Sequence, residues 1–503
     1  MKARLRAVAA LGALGLLCAN HGPVVSTDAG RVRGEAIGKG AAFRGIPFAA
    51  PPTGEMRWRD SVPVKRWRGV RDASAFGPAC PQRDEGGREV LPQDEDCLSV
   101  NVITPDLKGR KLPVLVSIHG GAYAFGSNRH VTDQGLTPLL EKGVVLVAPN
   151  YRVGRLGFFA HPALTAEAGR GTGNFWLSDQ VLALGWVRRN IAKFGGDPEN
   201  VTILGCSAGG SSVNALMASP KARGLFAKAS AHSGGGMFNA NRPLASAEQQ
   251  GIAFASRAGV EGSGSNALEH LRALSPEDVI AADPGAPDFG AIVDEYYLPA
   301  PLSVVFAHGE QARVPYISGS TSNEASVFGL MGFDAQVLRS RFGIDLDAMR
   351  PAYEARYGAL EEAELIRRVQ TDFLFTSAAL GMAGLHSRVA PAWTYHFDYL
   401  PQGSRGSQPG APHCADMPYL FGPVPDDDES RALAGTMRDL WFDFIGKSDP
   451  SGPAGQRWPA MRPGDRRTLL VSEALVPVRN FGGKTIDAWF AKWKAETSIS
   501  IEP

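Results

Sequence analysis

Five residues, Gly205-Cys206-Ser207-Ala208-Gly209, follow the short apolar run 201–204 and open onto Gly210-Ser-Ser-Val-Asn-Ala-Leu216. A strand, a glycine-flanked serine and a helix start therefore meet in one place. That layout matches a nucleophile elbow, a sharp strand-to-helix turn that small flanking residues permit and that lifts a serine Oγ clear of the backbone. The five letters alone are weak evidence in a chain with 59 glycines. Their setting adds to them: His119-Gly120-Gly121-Ala122-Tyr123 directly follows a second apolar run, 113–118.

Further apolar runs of strand length lie at 98–104, 144–148, 314–318 and 391–397, and amphipathic stretches at 178–193 and 435–444 lie between or beyond them. Such alternation predicts an α/β fold with a mainly parallel central sheet and helices on both faces. Residues 24–27 and 30–37 read as a hairpin at an exposed sheet edge. Residues 335–390 break the pattern and read as consecutive helices, an insertion expected over the C-terminal edge of the sheet, above the site. No Gly/Ser linker or repeat divides the chain, so 20–503 is expected to be one domain.

A formal net charge of +1 gives no steering toward nucleic acid or an anionic membrane. The acidic run Asp426-Asp427-Asp428-Glu429 reads as a solvated loop. At the N-terminus Lys2, Arg4 and Arg6 precede an apolar stretch from Ala7 to about Ala19. It is too short to span a bilayer and has the order of a secretory signal, which predicts a leader at 1–19 and export to the periplasm or medium. Lipidation at Cys18 ranks second, because Leu17 stands where Gly or Ala would be expected.

Several longer motifs occur in one order: Phe43-Arg-Gly-Ile-Pro-Phe-Ala-Ala-Pro-Pro52, Glu95-Asp-Cys-Leu-Ser-Val-Asn101, Asn150-Tyr-Arg-Val-Gly154, Gly173-Asn174 with Asp179-Gln180, and Phe194-Gly-Gly-Asp-Pro198. On these the chain resembles the type-B carboxylesterase family, which includes the cholinesterases, over nearly its whole length after the leader. The resemblance implies the α/β-hydrolase fold. It also implies structural ion pairs Arg44–Glu95 and Arg152–Asp179, and it makes Asn200-Val201-Thr202 part of the strand into the elbow rather than a glycosylation site.

Serine attacks esters only when a base takes its proton, and a histidine held by a buried carboxylate is such a base. Ser207 is the expected nucleophile. Gly319-Ser-Thr-Ser-Asn-Glu324 resembles the family's acid loop, which favours Glu324 over Asp294 and Asp416. Gly410-Ala-Pro-His413 matches its histidine loop, which favours His413 over His232 and His119; His119 is expected to orient the glycine loop. Gly121 and Ala122, with Ala208 after the nucleophile, have little bulk, so their N–H groups are expected to form a three-donor oxyanion hole. The family more often has glycine at the position of Ala122.

Cys80 and Cys97 resemble the family's N-terminal disulfide. Cys206 and Cys414 flank the expected nucleophile and base, at positions where the family more often has Glu and Gly. A similar pair occurs in the tannase and feruloyl-esterase family, and a Cys206–Cys414 bridge is expected. Cholinesterases carry their cation-binding tryptophan inside the first disulfide loop, but residues 81–96 contain no aromatic side chain, which argues against choline esters.

Tyr123, Phe125, Trp176, Phe238 and Phe328 are the candidate pocket rings. The expected activity is hydrolysis of uncharged aryl or short-acyl esters through an acyl-enzyme, on a small-molecule substrate, with no metal or organic cofactor. A phenolic, polyester or xenobiotic ester hydrolase is the alternative, and a non-catalytic adhesion module is a third reading of another class.

Overall fold

The computed structural model describes residues 22–83, 91–132, 137–238, 241–283, 289–331, 334–452 and 458–501. The expected leader and Cys18 lie outside them. Seven parallel strands form the centre of an 11-stranded sheet. Across the sheet they run Thr468–Val471, Ala392–Phe397, Tyr316–Thr321, Lys228–His232, Gly196–Cys206, Leu112–Ile118 and Val145–Pro149. Antiparallel strands finish both edges: Leu475–Val478 on one side, and Ser99–Thr104, Gly40–Pro47 and Glu35–Ile37 on the other.

The central strands are sealed on both faces. Val114, Val116 and Ile118 pack in one core with Val201 and Ile203, while Leu115, Leu146 and Leu204 pack in the core on the opposite face. Near-continuous apolar strands of this kind are what a parallel sheet covered by helices requires. In the helix Phe175–Asn190, Trp186 and Val187 join the first core. In Asp428–Lys447, Trp441 and Phe444 join the second. No helix among the described residues is long and apolar enough to cross a membrane.

The first hairpin forms, Val24–Ser26 against Arg31–Arg33, but it belongs to a separate three-stranded sheet completed by Val70–Asp72. Only Glu35–Ile37 reaches the edge of the large sheet. Between Thr321 and Ala392 the described chain is helical in Ala335–Phe342, Leu346–Tyr357, Glu362–Thr371 and Ser377–His386, with a π-helical turn at Asp372–Thr376.

The expected Arg152–Asp179 pair is present and buried. Nε of Arg152 donates to Asp179 Oδ2 at 2.9 Å, Nη2 to Oδ1 at 2.7 Å, and the Arg152 backbone N–H to Oδ2 at 2.9 Å. The expected Arg44–Glu95 pair does not form. Arg44 sits at an irregularity in the edge strand and turns to Glu35 on the neighbouring strand, at 2.7 Å. Glu95 is taken by Arg57, which a short 3-10 turn, Gly54–Met56, delivers against it, and Arg57 also donates to the carbonyls of Arg272 and Leu274.

Replacing Arg152 by Met is expected to destabilise the fold by about 3–5 kcal/mol, because the Asp179 carboxylate would stay buried without its cation. Urea unfolding reads this directly. A midpoint unchanged from wild type would show that the pair carries no net stabilisation.

Candidate active site

Ser207, the loop from Gly120 to Tyr123 and Glu324 each follow the C-terminal end of a parallel strand, and His413 lies on the loop beyond Ala392–Phe397, at the end where sheets of this kind bind ligands. Ser207 follows Gly196–Cys206 and takes φ +62°, ψ −127°, a left-handed conformation unusual for a residue with a side chain. The helix Ala208–Ala218 leaves at once and is buried along its full length. Its small residues let it sit tightly over the sheet. A Cβ on Gly209 would lie 2.2 Å from the Ile118 carbonyl oxygen, so only glycine fits.

Gly120 packs against the same turn, its hydrogens facing Ser207 Cβ. The loop after Leu112–Ile118 then runs through Gly121 (φ +108°), Ala122 (φ +50°) and Tyr123 (φ +60°). Ala208 is the first residue of its helix, and first-turn N–H groups have no partner within the helix. Gly120 thus lies against Ser207, with Gly121 and Ala122 next along its loop, and Ala208 directly follows Ser207. His119 stacks on Tyr151 with ring centroids 4.2 Å apart, and its Nδ1 lies 2.9 Å from the Gly120 carbonyl. Burial lowers its pKa to about 4, so it is neutral and holds the loop.

Glu324 follows the strand Tyr316–Thr321 and is fully buried. One carboxylate oxygen accepts from Ser233 Oγ and from the Thr321 N–H, both at 2.7 Å, and the other pairs with His413 Nδ1. The acid and histidine loops are laced together: Asn323 N–H donates to the Ala411 carbonyl, Ala411 N–H to Ser322 Oγ and His413 N–H to Ser326 Oγ, each at 2.9 Å. His413 Nε2 is shielded from solvent and has no hydrogen-bond partner.

A disulfide joins Cys206 to Cys414 across 208 residues, with Cα atoms 6.1 Å apart. Because each cysteine is the sequence neighbour of Ser207 or His413, the bridge brings the elbow and the histidine loop together. Cys80 and Cys97 are also bridged.

The rival acids are otherwise engaged. Asp294 Oδ1 caps a turn, accepting the N–H groups of Tyr296, Tyr297 and Leu298. Asp416 binds His232 at 2.6 Å, and both are fully buried. The Asn200 side chain is held by Lys228 and the Gly446 carbonyl.

The candidate rings divide by depth. Trp176 is completely buried, stacked on Phe158 at 5.0 Å and against Tyr123 at 5.0 Å, so it backs the wall rather than facing a ligand. Phe328 is buried at 1% exposure, edge-on to Phe375. Tyr123 is buried, and Phe125 and Phe238 are partly exposed. Phe238 packs on Phe373 and Trp489.

Two neighbours of the site escaped the sequence reading. Ser233 holds Glu324 but has only the polar strand end Ala231-His232 before it. Phe375, on the π-helical turn Asp372–Thr376, lies 4.9 Å from the His413 ring, centroid to centroid. A helix of regular period gives no hint of that turn, although π-turns concentrate at functional sites.

A family model described as the carboxylesterase family matches residues 21–485. The para-nitrobenzyl esterase of Bacillus subtilis (strain 168) is 33% identical over 482 residues, covering 90% of this chain and 95% of that protein. The phenmedipham hydrolase of Pseudarthrobacter oxydans is 33% identical over 497 residues, covering 90% of this chain and 95% of that protein. Among solved structures, a para-nitrobenzyl (PNB) esterase superposes with a TM-score of 0.81 at 31% identity, covering 93% of this chain and 100% of its own.

Proposed function

The chain belongs to the carboxylesterase family, and from that premise we propose that it is an exported serine hydrolase cleaving uncharged aryl or short-acyl esters through an acyl-enzyme. It is a carboxylic-ester hydrolase with the α/β-hydrolase fold. The finer reading draws its support from one arrangement. A serine on a left-handed elbow shares its site with a histidine whose Nδ1 is held by a buried carboxylate and whose Nε2 is unpartnered.

In this reading His413 Nε2 takes the Ser207 Oγ proton as Oγ attacks the ester carbonyl. Glu324 keeps the imidazole in the Nδ1–H tautomer and offsets the charge it gains. The N–H groups of Gly121, Ala122 and Ala208 receive the oxyanion, and one such donor is typically worth about 10²–10³ in kcat. His413 returns the proton to the leaving alcohol, and a water molecule repeats the sequence to release the acid.

The Ala122 methyl, at a position where the family more often has glycine, narrows the space for bulky alcohol groups in this reading, and the Phe375 ring adds bulk beside His413. Two disulfides accord with export to an oxidising compartment. The signal reading at 1–19, with lipidation at Cys18 second, remains part of the proposal.

Initial rates on p-nitrophenyl esters of increasing acyl length test the substrate reading. A maximum at two to four acyl carbons, falling by about tenfold or more at long chains, is expected. A rate rising steadily with chain length would overturn it. The Cys206–Cys414 bridge favours a second reading, a specialised phenolic, polyester or xenobiotic ester hydrolase. A rate on methyl ferulate exceeding every p-nitrophenyl ester would select that reading.

A further inference from the structure

The strand Lys228–His232 lies between the strand that ends at Ser207 and the strand that leads to Glu324, with His232 level with Cys206 on one side and Gly319 on the other. Its last residue, His232, and the next, Ser233, bond to Ser207 and to Glu324. The His232 carbonyl accepts the Ser207 N–H at 3.0 Å. Ser233, at φ +44°, donates its N–H to the Gly319 carbonyl at 2.8 Å and its hydroxyl to Glu324.

The His232 imidazole takes no part in the chemistry above, yet it is fully buried and fully bonded. Its Nδ1 lies 2.6 Å from Asp416 Oδ2, which also accepts from the Tyr395 hydroxyl at 2.6 Å. Its Nε2 faces Ser230 Oγ at 2.8 Å and the Trp441 indole N–H at 3.3 Å. An indole N–H can only donate, so Nε2 accepts and the ring proton sits on Nδ1, aimed at Asp416. Burial alone would raise the Asp416 carboxyl, but the bonds from His232 and Tyr395 more than offset it and hold its pKa below the ordinary value. Asp416 in turn lies three residues after His413, on the loop that the Cys206–Cys414 bridge ties to the elbow.

We propose that His232 is a positioning residue of the active centre: its carbonyl fixes Ser207, and its imidazole, through Asp416, fixes the loop that carries His413. The proposal rests on the Ser207–Glu324–His413 reading. In this buried network both nitrogens of His232 and Oδ2 of Asp416 are paired while Asp416 Oδ1 has no partner, and the paired members specify one arrangement of the strand and loop they join. Loss of register between nucleophile and base by about 1 Å is enough to cost about 10²-fold in rate.

The test compares wild type with His232→Leu, His232→Gln and Asp416→Asn, the last nearly isosteric and so least disturbing to folding. Each is assayed on p-nitrophenyl acetate and titrated with a fluorophosphonate that labels the active serine, identified by peptide mass. His232→Leu and Asp416→Asn are expected to lose about 10- to 100-fold in kcat with KM within about twofold, at full labelling stoichiometry. His232→Gln, which keeps a side-chain N–H for Asp416, is expected to recover most of the rate.

Unchanged kcat in Asp416→Asn, or a loss matched by an equal loss of labelled protein, would overturn the proposal. Wild type that labels anywhere other than Ser207 would overturn the triad reading and this proposal with it, a result distinguishable because it needs no variant.

Discussion

Ser207→Ala is expected to remove at least about 10⁴-fold of the ester hydrolysis rate while leaving the protein folded. The expectation follows from where the hydroxyl sits. The Ser207 backbone is fixed through its N–H to His232 and its carbonyl to the Ser211 N–H, and neither bond uses Oγ. Alanine occupies the same left-handed conformation with no added bulk, so the elbow persists and only the nucleophile is lost.

The residual rate should reflect the oxyanion donors and substrate binding, which act without the serine. Initial rates on p-nitrophenyl acetate, with circular dichroism of both proteins, make the comparison. Equal rates in the two proteins would remove Ser207 from the mechanism and with it the acyl-enzyme.

Breaking the Cys206–Cys414 bridge, through Cys206→Ala with Cys414→Ala, is expected to lower both stability and kcat. A loop of 208 residues corresponds to about 5 kcal/mol in the chain-entropy picture of a cross-link, an upper figure that real proteins often fall short of. The kinetic effect has a separate origin. The bridge joins the immediate neighbours of Ser207 and His413, so without it their register depends on the laced loops 322–326 and 411–413 and on the pair His232–Asp416.

A fall of about 10- to 100-fold in kcat is expected, with KM little changed. Urea unfolding and steady-state rates on the same preparation separate the two effects. Wild-type stability and wild-type kcat together in the double variant would show the bridge to be dispensable. Mass spectrometry of non-reduced peptides provides a prior check, since two alkylated thiols at these positions would exclude the bridge in solution.

The parts of the fold that were legible in the sequence are those where local pattern and tertiary setting agree. Residues 113–118 and 201–204 are apolar on both faces because the central strands are covered twice, and a run of that kind stands out. The glycines at 120, 121, 205 and 209 mark close approaches that any side chain would block. The strand Thr468–Val471 and the edge strand Leu475–Val478 beside it are not legible in the sequence, being short and, in the second, partly exposed.

Partner choice among charges was the least legible. Arg44 and Arg57 both lie near the N-terminal motifs, and only the local irregularity at Arg44 and the turn before Arg57 decide which one meets Glu95. Depth was hidden too. Trp176 follows a conspicuous motif, but its position on the first turn of a buried helix sends the ring into the core.

The sequence separation of 208 between the cysteines of the second disulfide also bears on synthesis. At roughly 5–20 residues per second, a ribosome needs roughly 10–40 s between adding the two cysteines. Under the proposed Ser207–Glu324–His413 mechanism, the emerging chain through that interval has a serine without its base, and it cannot attack an ester it meets. Reactivity therefore arrives late and all at once, when the last third of the polypeptide docks.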